Sequence, residues 1–375
     1  MSSRINRFGR DLLDTLEGDR IFLSPFGIYT ALASLAHGAE GGSATSGELL
    51  RALYCGSVQE LDEAVRGMSA TVAGNGSFRL ANLILVDSTE SKEKGVVPEF
   101  KDSVSELFGT TVDTADFKSD SALIRERIRE WAKESTDGMI GDFESQVSAD
   151  TMAAILNAVV FKDKWFYFFD PDDSSTEIFH NADGTVTKQR MMSNSLSQPE
   201  HYAQDDRFRM LGLRYMSGCM MYILLPLAGD DLHVLDEWRS ESPEYRESFM
   251  SENAMDVEEL KIVLPRFEMT CDYNLKDALA DLGIERSLSD DAEYTRIIEG
   301  AQLKIGSAKH KAKIRVDEMG TEAAAVTEVV MVGCTAMPPA PPVPEFVCDI
   351  PFIFSICAED GTMLFTGYYG SADRK

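Results

Sequence analysis

The sequence predicts an α+β fold in which helices and strands are mixed rather than alternated. Three observations predict it. Helical spacing dominates the first half of the chain, strand-length apolar runs dominate the second, and no repeated strand–helix–strand order of a doubly wound sheet occurs.

The helices come first. Asn6–Leu16 brings Phe8, Leu12, Leu13 and Leu16 to one face. Ser24-Pro25 opens a second helix, with proline in the first turn, where a missing N–H costs nothing. It continues through Tyr29, Leu32 and Leu35 to Gly38. Asp120–Glu134 is a third, with Ile124, Ile128 and Trp131 on one face. Between them Arg79–Val86 reads as a buried strand. In the second half Met152–Phe161 is an almost unbroken apolar run, as expected of a strand covered on both faces. Met220–Leu225 and Leu260–Leu264 are similar. Gln302–Ile305, Lys311–Asp317, Phe346–Ile356 and Met363–Tyr369 complete the predicted strands, with His310 between two of them. No repeat and no Gly/Ser linker divides the chain, so a single domain over residues 1–375 is expected. Ala336–Pro344 is proline-rich and reads as extended loop.

Composition excludes several function classes. Of 375 residues 44% are hydrophobic, and the formal net charge is −27 with no basic stripe. Nucleic acid, heparin-like polyanions and anionic membranes are therefore not expected as partners. No run of eighteen apolar residues is present, so no membrane-spanning helix is expected. The segment Met1–Arg20 has no apolar stretch of the kind that drives secretion, which points to a cytoplasmic protein, or to one secreted without a standard signal peptide. Cysteines at 55, 219, 271, 334, 348 and 357 form no C-x-x-C pair and read as free thiols in a reducing compartment. No phosphate-binding loop, G-x-S-x-G or H-E-x-x-H occurs. Asp170, Asp172 and Asp173 lack the glycine of a calcium loop and read as a solvated acidic turn. No enzyme activity, cofactor or metal is expected.

One segment carries more information. Gly320–Val332 follows a strand-like run and alternates with period two. Thr321, Ala323, Ala325, Thr327, Val329 and Met331 form an uncharged set; Glu322, Ala324, Val326, Glu328 and Val330 form the other, with both glutamates. As a strand it would show one small uncharged face and one acidic face. A charge at Thr321 or Ala323 would oppose burial of that first face. An ordinary Ala-rich helix or edge strand is the alternative from the residues alone.

The run Val316-Asp317-Glu318-Met319-Gly320-Thr321-Glu322-Ala323-Ala324-Ala325 closely resembles the hinge signature of inhibitory serpins, of the signal-less ovalbumin-like type. The resemblance extends in order through Phe22–Ile28, Leu35–Ala39, Leu80–Asn82, Ile128–Ile140, Asn157–Trp165, Leu264–Phe267 and Pro351–Phe354. It implies a serpin fold of three β-sheets, about eight or nine helices and an exposed reactive-centre loop at about residues 318–344. Two departures stand out. Gly27 replaces the second serine of the family's shutter motif, and Phe365-Thr366-Gly367-Tyr368-Tyr369 replaces a Gly-Arg pattern.

The resemblance implies a metastable serine protease inhibitor, not an enzyme. It acts as a suicide substrate whose cleaved loop inserts into a sheet while the protease remains covalently acylated. The hinge is Glu318, Gly320, Thr321, Glu322, Ala323, Ala324, Ala325, Val326 and Thr327. Family spacing places the reactive bond at Cys334–Thr335, with Gly333–Cys334 as the alternative. The span Gly320–Pro344 contains no Lys or Arg, which argues against a trypsin-like target. An elastase-like or other protease with a small or apolar pocket is expected. Trp165, Arg266, Ser24, Asn157 and His310 correspond to positions that hold the sheet closed. Arg266 is expected to pair with Glu318, and Asn157 with His310. The chain is expected to act as a monomer. The alternative within the family is a non-inhibitory chaperone, carrier or storage protein.

Overall fold

A computed structural model describes residues 2–73, 76–88, 95–119, 121–227, 233–298, 303–321 and 343–372. These form nine α-helices and three sheets of six, four and seven strands, an α+β architecture. The chain divides into two compact units. One comprises Met1–Phe161, Thr270–Lys313 and Cys357–Thr366; the other comprises Lys162–Met269, Ile314–Ile356 and Gly367–Lys375.

In the first unit the helix Pro25–Gly38 is buried from end to end. Its apolar residues have no polar stripe to offer solvent, so it can exist only inside a core. Ser24 caps it by accepting a hydrogen bond from the Gly27 amide, and Pro25 occupies the first turn. Beside it runs Ala153–Phe161, all nine residues buried. This strand pairs antiparallel with Phe78–Asp87, which pairs in parallel with Thr110–Ala115. On its other edge it pairs in parallel with Ile305–Lys313. Helix Ser121–Ser135 lays Ile124, Ile128 and Ala132 against Leu83, Leu85, Leu156 and Val160, with Trp131 partly buried alongside. Beneath, Phe365 stacks on Phe22 and meets Phe78 and Phe161 edge-on.

The strand Ile305–Asp317 corrects the sequence reading. Gln302–Ile305 and Lys311–Asp317 are not two strands: a single strand begins at Ile305, and His310 lies within it. Gly306, Lys309 and His310 break the apolar pattern, yet all three are accommodated. The bulge between Ile305 and Ser307 absorbs the glycine. Lys309 and Lys311 are almost fully buried because Asp272 neutralises both and Asp142 also binds Lys311. The Lys311 ammonium, by its hydrogen bond, holds the Asp142 carboxyl below its ordinary range. Phe346–Ile356 is likewise two strands, Glu345–Val347 and Phe352–Cys357, because Pro351 cannot donate to a ladder.

In the second unit a four-stranded sheet runs in the order Glu345–Val347, Glu259–Pro265, Val186–Ser197, Ser175–His180. A hairpin of Phe208–Arg214 and Met220–Pro226, joined by Tyr202–Gln204, supplies three strands of the six-stranded sheet. Phe208, Trp238, Tyr245 and Phe249 pack ring against ring at one end of it. Cys55, Cys271 and Cys357 of the first unit and Cys219 and Cys348 of the second are buried and form no disulfide among the described residues.

Candidate functional site

At the end of the long strand the chain makes a tight turn. Asp317 accepts a hydrogen bond from the Met319 amide, and Gly320–Thr321 then forms a two-residue strand. That strand is antiparallel to Val316–Asp317 on one side and to Asp163–Lys164 on the other. Glycine is required at its head. Gly320 has φ +151°, and a Cβ there would lie 2.1 Å from the Asp163 carbonyl oxygen. Thr321 is fully buried and shares a 2.7 Å hydrogen bond with the Tyr215 hydroxyl. Burial raises the Tyr215 pKa well above its ordinary value, so the phenol remains protonated.

Trp165 holds this turn from beside it. Its indole N–H donates to the Asp317 carbonyl at 3.0 Å, and its amide donates to Met319. Its ring stacks on Tyr215 at 4.3 Å. Phe169 donates its amide to the Glu318 carbonyl. The Glu318 side chain is 9% exposed. Its Oε1 accepts from Ser174 Oγ at 3.1 Å, while Arg190 and Arg266 each approach to 3.8 Å. Both arginines are nearly half exposed. A buried carboxylate is thus fixed by one hydrogen bond and two half-solvated guanidiniums at ion-pair distance.

A second cluster lies in the first unit. His310 is fully buried between the Ser24 amide and Asn157. Ser24 donates to Nε2, so the ring proton sits on Nδ1 and is donated to Asn157 Oδ1 at 2.6 Å. Asn157 in turn donates to Asn82 Oδ1, Asn82 to Thr30 Oγ1, and Thr30 to the Gly27 carbonyl. Ser24 Oγ donates to the Leu364 carbonyl and accepts from Gly27. This chain ties together a helix start and three neighbouring strands, and every side-chain nitrogen and oxygen named in it has at least one partner. Burial depresses the His310 pKa to about 3, so the ring is neutral.

Gly27 also fits closely here. A Cβ there would meet Val159 Cγ2 at 2.8 Å and Asn157 Oδ1 at 3.0 Å. Gly27→Ala is therefore expected to lower the midpoint of thermal unfolding, because the overpacking cost of about 1–3 kcal/mol exceeds the helix-propensity gain of about 1 kcal/mol. An unchanged or raised midpoint would show that Val159 and Asn157 yield.

Glu322, Ala323, Ala324, Ala325, Val326, Thr327, Cys334 and Thr335 lie outside the described residues. Several residues joined to these clusters were not anticipated: Ser174, Arg190 and Tyr215 around the turn, and Asn82 and Thr30 in the polar chain. Only Asn82 carries a signal, as a lone amide in an apolar strand, where burial demands a partner. Among the described residues no group of three or more His, Cys, Asp or Glu could hold a metal ion, and no helix is long and apolar enough to cross a membrane.

The family described as Serpin (serine protease inhibitor) matches residues 3–371. Serpin-ZXA of Oryza sativa is 31% identical over 94% of this chain and 90% of its own. The leukocyte elastase inhibitor of Sus scrofa is 29% identical over 95% of each. The structure of Arabidopsis AtSerpin1 in its native stressed conformation superposes with a TM-score of 0.82 at 24% identity, covering 99% of this chain and 96% of that one. The chain belongs to the serpin family, whose members are described as serine protease inhibitors, not as catalysts.

Proposed function

We propose that the chain inhibits an endopeptidase as a suicide substrate, through cleavage of its reactive loop and insertion of the hinge as a new strand. The observation that carries this is the short strand Gly320–Thr321, already antiparallel to a neighbour on each side. Ala153–Phe161 and Ile305–Lys313 pair with each other in parallel. Each hinge residue added between such strands replaces one parallel ladder with two antiparallel ones, which are slightly more stable per residue. The uncharged alternate set from Thr321 onward can be buried, while Glu322 and Glu328 face solvent. Inserting Gly320–Val332 at about 3.3 Å per residue carries an acylated protease about 40 Å.

Glu318, Arg266 and Trp165 act as the latch at the head of the insertion path; Ser24, Asn157 and His310 close the strands further along it. Cys334–Thr335 is the scissile bond, with Gly333–Cys334 as the alternative. The absence of Lys and Arg from Gly320–Pro344 and the name of the porcine relative both favour an elastase-like enzyme over a trypsin-like one. The chain works as one domain over residues 1–375, as a monomer, without cofactor or heparin.

Incubation with a panel of serine and cysteine proteases tests this. An SDS-stable complex should form with an elastase-like enzyme, and the released C-terminal fragment should begin at Thr335. Loop cleavage should also raise the thermal midpoint of the body sharply. Cleavage with neither a covalent complex nor a gain in thermal stability would favour a non-inhibitory carrier, chaperone or storage role.

A further inference from the structure

The two-residue strand Gly320–Thr321 carries a register on each of its edges. On one, Thr321 lies opposite Val316 and Gly320 opposite Asp317. On the other, Thr321 lies opposite Asp163 and Gly320 opposite Lys164. Both ladders are antiparallel, so each can be counted onward along the path an entering hinge would take. Counted so, Ala324 comes opposite Lys313 on one edge and Val160 on the other. Lys313 and Val160 already face each other in the parallel ladder beyond. The two edges therefore agree, with no slip between them.

One residue past Thr321, the same count sets Glu322 between Arg315 and Lys162. Val316 and Thr321 are both fully buried, so alternation turns the next pair to the opposite face. Arg315 and Lys162 are indeed exposed. The Arg315 Nε lies 3.9 Å from Asp317 Oδ2, beyond hydrogen-bond reach, which leaves its fork of donors for another carboxylate. Glu328, the other acidic residue of the segment, is set opposite Lys309. The chain has 36 Lys and Arg against 63 Asp and Glu, so an acidic neighbour is the commoner chance outcome, yet both glutamates meet cations.

We propose that Arg315 and Lys162 form a charge clamp for Glu322, which sets the register of the entering hinge and speeds its entry. This rests on the reading that the hinge inserts as a strand. Opposite charges directly across neighbouring strands attract, and like charges there repel. A slip of one residue would turn Glu322 to the buried face with its charge desolvated. A slip of two would exchange one of its two cations for Val160 or Asp317. Arg315 and Lys162 are thus positioning residues that favour one register over its neighbours.

The test titrates an elastase-like protease with the intact chain at low salt. It counts the chains cleaved for each protease held in an SDS-stable complex. Slow entry lets the acyl bond hydrolyse first, so the count rises. Turning two cross-strand attractions into repulsions is worth on the order of tenfold in rate. Glu322→Arg should raise the count about fivefold or more, and Glu322→Gln about twofold. Adding Arg315→Glu or Lys162→Glu to Glu322→Arg should undo at least half of the rise, whereas adding Lys313→Glu should not. Should Glu322→Arg fail to fold, Glu322→Gln and Lys162→Glu alone carry the test, each with a raised count that falls back toward wild type as salt screens the pairs. A wild type that forms no complex overturns the inhibitory reading and the clamp with it. A wild type that forms the complex, with a count unmoved by these variants, no rescue from either partner, or equal rescue by Lys313→Glu, overturns the clamp alone.

Discussion

Glu318→Lys should lower the thermal midpoint and speed conversion of the uncleaved chain into polymeric or self-inserted forms. The substitution places an ammonium between the Arg190 and Arg266 guanidiniums, where a carboxylate had attracted both. It also removes the acceptor for Ser174 Oγ in a buried place. Loss of a buried, hydrogen-bonded partner and its replacement by a like charge costs about 3 kcal/mol, with the exposed arginines keeping the value below that of a fully buried pair. That is roughly a hundredfold in an equilibrium constant. Glu318→Gln keeps the shape and an oxygen for Ser174 and should cost about 1 kcal/mol. Native gels after mild heating follow the polymers, and the stoichiometry of inhibition follows the function. If Glu318→Lys left both unchanged, Glu318 would not be a latch.

His310 governs the second large effect, which appears on acidification. Folding depresses its pKa from 6.5 to about 3. Below 6.5 the unfolded chain takes up a proton that the folded chain refuses. The contribution of His310 is therefore fully present above pH 6.5 and is lost as pH falls toward 3, at about 1.4 kcal/mol per pH unit. His310→Gln offers an acceptor for Ser24 and a donor for Asn157 but does not titrate. Between pH 7 and pH 5 the wild type should lose about 2 kcal/mol relative to His310→Gln, measured as the change in the difference between their denaturation midpoints. A difference independent of pH would show that the ring is not a neutral buried partner. His310→Ala strands the Ser24 amide and Asn157 Oδ1 together and opens a cavity. It should cost about 3 kcal/mol at any pH above 6.5.

Local rules made much of the fold legible before the structure. Pro25–Gly38 and Met363–Tyr369 appear where proline placement and apolar runs put them, because neither needs information from elsewhere in the chain. The first half of Ile305–Asp317 is not legible as strand because Lys309 and His310 look out of place in an apolar strand until Asp272 and Asn157 are brought against them. Those partners are 37 or more residues away in sequence, and no periodicity reveals them. The same holds at the candidate site. Glu318 and Arg266 could be named through family resemblance, whereas Ser174, Arg190 and Tyr215 come from separate strands and loops whose own sequence gives no sign of a shared carboxylate or threonine. Gly27 shows the converse. Read from sequence, it is a missing hydroxyl; in the folded chain it is the space that Val159 and Asn157 occupy.

The fully buried strand Ala153–Phe161 also sets an order of assembly. Asn157 finds Asn82 75 residues earlier in the chain, but its other partner, His310, comes 153 residues later. During synthesis one edge of the strand can pair at once, while the other waits for more than a hundred further residues. At about 5–20 residues per second that delay is on the order of ten seconds. Throughout it, nine consecutive residues destined for burial present an open edge, a template for pairing with another nascent chain. Yield in the cell should accordingly depend on translation rate and chaperone supply as well as on the stability of the finished fold.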